Sequence, residues 1–353
     1  MGGISLVLAI IIIIASKFLA EYGPCKLIIN EEKTIEVTGG YSLLSSLISN
    51  KIFIPSACGG RGSCGYCKLT VLDGGGPVLP TERPYLTPKE VDENVRLSCQ
   101  VKVKSDMQVK VPEEYLSIQE FRAAVLYSKD LTYDMKEVRF TLKEPSAIKF
   151  KPGQYIQFNI PTKKGETIYR AYSMSSLPST PNEVELIVRL VPGGIGSTYI
   201  HSLKEGDEVN ISGPYGEFFL QERSDYDIVC VGGGAGMAPL KAIIYSLFEK
   251  GADRKVDLYF GVRSMKDLFY IEEFDQLAKE HSNFHYSYAL SDPEETDKWE
   301  GETGFIHLVL DKLIKEGEKK EAYLCGPPIM IDAVIKVLNE KGVSQDHIYY
   351  DKF

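Results

Sequence analysis

The fold of this 353-residue chain is indicated first by one stretch, Cys58-Gly59-Gly60-Arg61-Gly62-Ser63-Cys64-Gly65-Tyr66-Cys67. A fourth cysteine, Cys99, follows after thirty-one intervening residues. Three close thiolates and one remote thiolate match the ligand spacing of a [2Fe–2S] cluster. Glycines let the backbone wrap closely around inorganic sulfides and leave N–H groups free to donate to the sulfurs. The pattern therefore predicts a [2Fe–2S] cluster held by Cys58, Cys64, Cys67 and Cys99.

A structural zinc site is an alternative for these cysteines. Zinc ribbons usually supply two Cys-x-x-Cys pairs, whereas here Cys64 and Cys67 form the one such pair. Four unrelated buried cysteines are a second alternative. The remaining cysteines (Cys25, Cys230 and Cys325) are scattered, and the odd total of seven argues against a disulfide framework. A reducing compartment is therefore expected.

The composition restricts the classes of protein to which the chain can belong. Its length suits two or three domains. A content of 44% hydrophobic and 25% charged residues is typical of a folded soluble protein. The formal net charge of -9 argues against a nucleic-acid partner, because phosphate binding needs a basic surface.

The N-terminal segment Met1–Ala20 is mostly apolar, and Lys17 is its one charged side chain. As a helix it would span about 30 Å, the thickness of a bilayer core. A signal peptide would need a positively charged start and a cleavage site, and a buried helix would leave no polar face. Lys17 and Lys26 flank the C-terminal end, which places the following domains in the cytoplasm. We predict a single-pass anchor in the inner membrane over residues 1–22, with the catalytic domains on the cytoplasmic side.

Three blocks of sequence follow the predicted anchor. Residues 24–114 combine short strands, one helix and the glycine-dense loop, which predicts an α+β, β-grasp-like domain. Residues 116–222 consist mostly of strands divided by Pro and Gly turns, which predicts an antiparallel β-barrel. Residues 223–353 alternate strands with helices, which predicts a parallel sheet with helices on both faces. The predicted elements are strands 26–30, 34–38, 137–143, 155–160, 184–190, 208–212, 227–231, 256–262, 284–290, 322–325 and 348–350, and helices 42–50, 271–279, 306–314 and 331–338.

At the cysteine stretch the chain resembles the ferredoxin domain of electron-transfer reductases. These proteins join a ferredoxin to a ferredoxin–NADP+ reductase-like module. The resemblance continues in Arg170-Ala171-Tyr172-Ser173 and implies that this segment binds FAD. By this resemblance Arg170 pairs with the diphosphate, Tyr172 stacks on the isoalloxazine ring, and Ser173 is a catalytic residue near flavin N5.

A second FAD contact is implied at the start of a predicted helix, Gly194-Ile195-Gly196-Ser197-Thr198. Backbone donors at a helix N-terminus bind phosphate, and Ser197 matches the phosphate contact of the family. An exposed strand end and an ordinary helix cap would also explain these two motifs. Their order along the chain favours the flavin interpretation.

The nicotinamide nucleotide is assigned to Gly232-Gly233-Gly234-Ala235-Gly236-Met237-Ala238-Pro239. Glycines between a strand and a helix let a pyrophosphate approach the helix N-terminus. Met237 stands where the G-x-G-x-x-G pattern has its last glycine, but the stretch resembles the Gly-Gly-x-x-Gly-x-x-Pro form of the reductases. A tight strand–helix turn without a ligand is the alternative.

The resemblance also places Cys325-Gly326-Pro327 and the last residue, Phe353, beside the nicotinamide and the flavin. Cys325 would position the hydride donor and acceptor without acting as a covalent nucleophile, and Phe353 would cover the flavin until the nicotinamide displaces it. A buried strand cysteine before a turn is the alternative for Cys325. Arg263 occupies a position where an acidic residue would favour NAD and where an arginine could bind the 2′-phosphate of NADPH. Similar NADH-specific reductases also carry Arg-Ser at this point, so NADH is expected.

Two groups of such reductases place the ferredoxin first: the F subunits of Na+-translocating NADH:quinone oxidoreductases and the reductase components of diiron monooxygenases. The predicted anchor and the segments 56–60, 75–82 and 213–219 favour the F subunits, whereas the short turn 161–169 departs from them. The resemblance implies an enzyme that moves hydride from NADH to FAD and single electrons to the cluster. Membrane redox subunits, and ultimately quinone, would accept them. A non-enzymatic electron carrier or a nucleotide-binding regulator is the alternative from another class.

Overall fold

The computed structural model describes residues 22–161, 167–221, 226–315 and 319–353. Its contacts divide the chain into two compact units. The first contains the described residues of Met1–Glu120 and Pro161–Ala171, and the second those of Phe121–Ile160 and Tyr172–Phe353. Residues 1–21 of the predicted anchor, 1–22, lie outside the described residues. Among the helices that are described, none has the length and hydrophobicity needed to cross a bilayer.

The first unit is built on a mixed five-stranded sheet with the order β2-β1-β5-β3-β4. β1 (Pro24–Ile29) pairs antiparallel with β2 (Lys33–Thr38) and parallel with β5 (Met107–Lys110). β3 (Lys68–Asp73) pairs antiparallel with β5 and with β4 (Val95–Leu97). The sheet therefore contains both parallel and antiparallel pairs, as in the predicted α+β class.

Helix α1 (Leu43–Ser49) closes the core of this sheet. The Ser42 hydroxyl accepts a hydrogen bond from the Ser45 N–H at 3.1 Å and so caps the first turn. Leu43, Leu44 and Leu47 share a buried cluster with the inward side chains of the strands. The other helices in the described residues of the first unit are short: α2 (Pro88–Asp92), α3 (Glu113–Leu116) and the 3-10 turn Arg83–Tyr85.

The second unit begins with an antiparallel barrel of strand order β10-β7-β6-β11-β8-β9. A bridge between Met174 and Leu186 joins the end of β9 to β10 and closes the ring. Helix α4 (Ile195–Ser202) contributes Ile200 to the barrel core. The antiparallel barrel predicted for this block is confirmed. Its strands are β6 (Gln119–Asp130), β7 (Met135–Glu144), β8 (Tyr155–Pro161), β9 (Thr167–Ser173), β10 (Glu183–Arg189) and β11 (Glu208–Tyr215).

The second unit continues into a parallel sheet of order β15-β14-β13-β12-β16-β17. Its strands are β12 (Asp227–Gly233), β13 (Val256–Val262), β14 (Phe284–Leu290), β15 (Glu302–Thr303), β16 (Lys320–Gly326) and β17 (Ile348–Lys352). Its helices are α5 (Met237–Glu249), α6 (Ile271–Glu280), α7 (Ile306–Leu313) and α8 (Pro328–Glu340).

Alternate residues of β12 point to opposite faces of this parallel sheet. Ile228 and Cys230 pack with α5 and α6, whereas Val229 and Val231 pack with α7 and α8. The predicted sheet with helices on both faces is therefore confirmed. The strand order reverses between β12 and β16, and in such sheets the ligand crevice opens at the carboxyl ends of the two strands where the order reverses.

Candidate functional site

The four cysteines of the glycine-dense stretch lie in the first unit as two pairs. Cys58 Sγ and Cys64 Sγ are 3.4 Å apart, and the thiols of Cys67 and Cys99 are hydrogen-bonded to each other. Two sulfurs on one tetrahedral metal, each about 2.3 Å from it, lie roughly 3.8 Å apart. A [2Fe–2S] cluster has four thiolate ligands for its two irons. The Cys58–Cys64 distance therefore suits one iron, and the hydrogen-bonded thiols of Cys67 and Cys99 are placed to bind the other.

The electrostatics of the thiols agree with this pairing. The hydrogen bond from Cys64 lowers the pKa of Cys58 to about 4, and the hydrogen bond from Cys67 lowers the pKa of Cys99 to about 7. The same bonds, followed by burial, raise the pKa values of Cys64 and Cys67. Metal binding requires deprotonated thiolates and would release the protons that these thiols carry. In the part of the chain that the structure describes, no group of three or more His, Cys, Asp or Glu side chains is arranged to hold a single metal ion.

The glycines of the loop are placed where side chains would collide. A Cβ on Gly62 would lie 2.5 Å from the Gln100 amide nitrogen, and a Cβ on Gly65 would lie 2.8 Å from the Tyr85 ring. Both glycines also have positive φ, +74° in each case. The Gly60 N–H donates to Ser56 Oγ at 2.9 Å. The side chains of Gln100 and Tyr85 therefore pack closely against the backbone of the loop that carries the cysteines.

A buried ion pair, which the sequence did not reveal, fixes the segment between β3 and β4. Arg96 Nη2 and Glu82 Oε2 are 2.6 Å apart, and both side chains are almost fully buried. Arg96 Nη1 donates to the carbonyls of Gly75 and Gly76 at 2.9 and 2.8 Å. Arg96 lies on the strand that leads into Cys99, so this pair ties the remote cysteine to segment 75–82.

The predicted flavin segment falls partly in each unit. In the first unit Arg170 Nη1 donates to the carbonyls of Tyr169 and Cys58, at 2.7 and 3.3 Å. A Cβ on Gly59 would lie 2.2 Å from the same nitrogen. The guanidinium therefore contacts the cysteine loop through Nη1. Ala171 follows it, half-buried.

Tyr172 and Ser173, in the second unit, end strand β9. The Tyr172 ring meets Phe158 edge-on with centroids 6.3 Å apart. Both residues are half-buried, so each retains surface that a bound ring could cover. The Ser175 hydroxyl, two positions later, donates to Glu185 Oε1 at 2.9 Å. The Ser175 side chain is thus tied to β10.

The second predicted FAD contact begins α4. Gly194 is the N-cap, Thr198 N–H donates to its carbonyl at 3.0 Å, and Gly196 and Ser197 are buried. Ser197 Oγ accepts from the Val191 N–H at 3.0 Å. The hydroxyl therefore braces the preceding turn, and the backbone donors of the first turn remain the groups suited to phosphate.

The predicted nucleotide residues meet at the carboxyl ends of β12 and β16. Gly232 is in register with Cys325. A Cβ on Gly236 would lie 2.1 Å from the Cys325 carbonyl oxygen, and a Cβ on Gly233 would lie 3.1 Å from the Gly261 carbonyl. The glycines thus allow close contact between neighbouring backbones. Gly234 has a positive φ of +56°, and Met237 and Pro239 are buried in the first turn of α5.

The C-terminus reaches the same edge of the sheet. β17 pairs with β16 so that Cys325 is opposite Asp351, and the Phe353 N–H donates to the Gly326 carbonyl at 3.3 Å. The Phe353 side chain is 58% exposed. Cys325 is fully buried, and burial raises its pKa well above the ordinary thiol value. A protonated, buried thiol is a poor nucleophile, which agrees with a positioning role. Pro327 lies at the same edge as the N-cap of α8.

Arg263 follows β13 and forms an ion pair with Asp292. Its Nε and Nη2 donate to Asp292 Oδ2 at 3.1 and 2.9 Å. The Asp292 N–H in turn donates to the Arg263 carbonyl at 2.8 Å. Sequence reasoning missed Asp292, because it lies 29 positions away along the chain. An arginine already paired with a carboxylate is less available to a 2′-phosphate.

Family models match the three blocks of the chain. A 2Fe-2S iron-sulfur cluster binding domain matches residues 27–104, an oxidoreductase FAD-binding domain residues 122–220 and an oxidoreductase NAD-binding domain residues 230–336. The F subunit of the Na+-translocating NADH-quinone reductase from Neisseria gonorrhoeae is 40% identical over 392 positions, covering 99% of this chain and 96% of the relative. The chain belongs to this F-subunit family.

Another F subunit, from Actinobacillus succinogenes, is 41% identical over 394 positions, with 99% of this chain and 96% of the relative covered. The first alignment runs over 392 positions whereas this F-family chain has 353 residues, so the relative has at least 39 positions without a counterpart here.

Solved structures of oxygenase reductases share the fold of this F-family chain. A cytochrome P450 reductase from Amycolatopsis superimposes with a TM-score of 0.73 at 29% identity, covering 93% of this chain and 98% of that one. The ferredoxin reductase of carbazole 1,9a-dioxygenase has a TM-score of 0.72 at 29% identity, covering 94% and 98%. The higher, full-length identity to F subunits favours that group over oxygenase reductases.

These matches confirm the predicted ferredoxin-type, FAD-binding and NAD-binding domains. They also confirm the predicted cofactors: FAD and a [2Fe–2S] cluster, with NADH as the substrate. The chain is an oxidoreductase of the NADH-to-FAD-to-[2Fe–2S] type.

Proposed function

We propose that this chain is the NADH-oxidising subunit of a membrane complex that reduces quinone. The observation that carries the proposal is the arrangement of Cys58, Cys64, Cys67 and Cys99 in two pairs within the first unit. Without a cluster, the NAD- and FAD-binding domains would describe an ordinary nicotinamide-dependent flavoprotein. The cysteine pairs would hold the [2Fe–2S] cluster that accepts single electrons.

The proposed roles of the nucleotide residues follow from their place at the carboxyl edge of the parallel sheet. The glycine run 232–236 and the first turn of α5 hold the dinucleotide phosphates with backbone N–H groups. The buried Cys325 fixes the edge against which the nicotinamide lies. Phe353, hydrogen-bonded through its backbone to Gly326, covers the reaction site and excludes water until NADH enters.

The proposed roles of the barrel residues concern FAD. When bound, FAD supplies the conversion of a two-electron hydride into single electrons that an iron–sulfur cluster accepts. Tyr172 stacks on the ring and Ser173 donates a hydrogen bond near its reactive edge. Arg170 and the first turn of α4 neutralise and bind the diphosphate.

The names of the relatives extend the proposal to the complex. A cluster held by Cys58, Cys64, Cys67 and Cys99 would supply single electrons to a membrane redox subunit and ultimately to quinone, and Na+ transport would reside in the other subunits. Residues 1–22 anchor the chain once in the bilayer, with residues 24–114, 116–222 and 223–353 as the cluster, FAD and NAD domains on the cytoplasmic side. Expression of the full chain and of a variant lacking residues 1–22 tests the anchor. The full chain is expected in the membrane fraction and the variant in the soluble fraction, and an equal distribution would contradict it.

The absorption spectrum of the purified full chain, recorded anaerobically before and after NADH, tests the proposed electron route. The flavin bands and the cluster bands should both bleach, and the protein should contain iron and acid-labile sulfide. Bleaching of flavin without iron, or zinc in place of iron, would refute the proposal. Rapid NADH-dependent reduction of ferricyanide separates an enzyme from a protein that binds nucleotides without turnover.

A further inference from the structure

A buried polar cluster lies in the second unit where α5 packs against the barrel. Lys241 Nζ donates to Glu185 Oε1 at 2.7 Å and to Glu137 Oε2 at 3.1 Å. The side chains of Glu185 and Glu137 are 2% and 7% exposed, and that of Lys241 is 18% exposed. One cation on a helix thus bridges two carboxylates on two barrel strands, β10 and β7.

The cluster connects the two segments that bind cofactor and substrate. Lys241 lies in the second turn of α5, directly after the glycine run 232–236. On the other side, Ser175 donates through its hydroxyl to Glu185 Oε1 at 2.9 Å and through its N–H to the Glu185 carbonyl at 2.8 Å. Ser175 is two positions beyond Ser173. Lys241 and Glu185 therefore form a short path from the nucleotide helix to the flavin segment.

The carboxylates have further donors on both sides. Tyr127 donates to Glu137 at 2.6 Å, Tyr270 also donates to Glu137, and Arg139 Nε donates to Glu185 Oε2 at 3.0 Å. Burial raises the pKa of Glu137, but the Lys241 charge and the tyrosine hydrogen bonds outweigh it and leave the pKa lowered. Both acids are thus held by several donors, among which Lys241 comes from α5.

Stability alone does not account for such a cluster. Desolvating buried ions often offsets their attraction, and apolar residues of similar size can be as stabilising or more so. Apolar contacts are non-directional, whereas the hydrogen bonds from Lys241 at 2.7 and 3.1 Å define its position between the two carboxylates. Hydride transfer is sensitive to such shifts, because a misplacement of about 1 Å can lower a rate about a hundredfold.

We propose that Lys241 is a positioning residue for hydride transfer, which fixes the nucleotide-binding end of α5 against the flavin-binding segment through Glu137 and Glu185. The inference rests on the proposed function. It assigns to Lys241 no contact with NADH or FAD. Its loss should therefore change the reaction geometry more than the affinity for either nucleotide.

The test compares Lys241→Met with Arg139→Met in the full-length holoprotein. Arg139 holds the same carboxylate, Glu185, but it lies on barrel strand β7, and among the described residues its charged partners, Glu183 and Glu185, both lie on β10, so it is the matched control. Stopped-flow reduction of the flavin by NADH gives the hydride-transfer rate and the apparent Kd for NADH. Hydrogen–deuterium exchange of residues 237–249, with and without FAD, gives a readout independent of activity.

Lys241→Met should lower the limiting rate of flavin reduction by about tenfold to a hundredfold, leave the Kd for NADH nearly unchanged and speed exchange in α5. Lys241→Arg should restore most of the rate, and Arg139→Met should retain it. An unchanged rate in Lys241→Met, or an equal loss in Arg139→Met, would overturn the inference. If Lys241→Met does not fold, Glu137→Gln replaces it and should show the same split between rate and Kd. Failure of the wild-type flavin to be reduced by NADH would instead refute the proposed function.

Discussion

Gly236→Ala is expected to separate two backbones that now touch. Gly236 has an ordinary helical conformation, with φ -61° and ψ -12°, so its backbone does not require glycine. A Cβ there would, however, lie 2.1 Å from the Cys325 carbonyl oxygen and 2.6 Å from its carbonyl carbon. Both atoms belong to β16, a strand paired on both sides, and cannot move aside as a flexible side chain could.

The magnitude follows from this overlap. Non-bonded heavy atoms settle at about 3.5 Å, so the turn after β12 and the end of β16 would move apart by roughly 1.4 Å. A displacement of about 1 Å can lower a rate about a hundredfold, and overpacking of this kind costs about 1–3 kcal/mol of unfolding free energy. The loss should appear in NADH-dependent flavin reduction and in the thermal unfolding midpoint.

Gly251→Ala provides the matched control for this substitution. Gly251 lies just beyond the other end of α5, has a φ of +69° and has open space around its Cβ position. Alanine in the left-handed region costs about 1–2 kcal/mol, so its stability loss should be similar while the rate is kept. Wild-type flavin reduction in Gly236→Ala would refute the contact with Cys325. An equal loss of rate in Gly251→Ala would show that lowered stability is the cause.

Three further predictions concern charges and the cluster. Asp292→Asn should release Arg263 and raise kcat/KM for NADPH relative to NADH about threefold, since both side chains are mostly exposed and an exposed ion pair contributes about 0.2–1 kcal/mol; an unchanged ratio would argue against this pair as a specificity determinant. Cys99→Ser should remove the cluster absorbance and acid-labile sulfide while FAD remains bound, and retention of full sulfide content would contradict the assigned ligand. Burial raises the pKa of Glu82, but hydrogen bonds from Arg96 and two backbone N–H groups outweigh it and lower the pKa. The stability that this lowered pKa contributes is therefore present above the unfolded pKa of about 4.3 and is lost as the pH falls through the folded pKa. The thermal unfolding midpoint of Glu82→Gln should therefore depend less on acid pH than that of the wild type. Equal acid sensitivity of the two proteins would contradict the role of Glu82.

The sequence was most informative where structure is set by neighbouring residues. The helix predicted at 42–50 is found at Leu43–Ser49 because Ser42 caps it locally, and the predicted strand 256–262 is found with those bounds. Strand β6, Gln119–Asp130, was not predicted. Its pairing with β7 shifts register twice, between Arg122 and Ala123 and between Val125 and Tyr127, and bulges break the alternation on which strand prediction depends.

For the candidate site, the sequence indicated which residues belong to each motif but not which side chains contact one another. It named the four cysteines, but it did not show that Cys58 pairs with Cys64 and Cys67 with Cys99. The contacts of Lys241 with Glu185 and Glu137 join positions 56 and 104 residues apart. No local pattern encodes such contacts, because the charged residues look like ordinary surface residues until the elements pack.

The pairing of the cysteines has a consequence for metal loading. Cys58 and Cys64 belong to one loop, so an unfolded or nascent chain can already bring them together at a small entropic cost. Cys67 and Cys99 meet only after β3 and β4 have paired, which aligns Lys68 with Leu97. Before these two strands pair, the chain offers iron and sulfide two of the four cysteine ligands. Assembly of the complete cluster therefore requires a folded first unit.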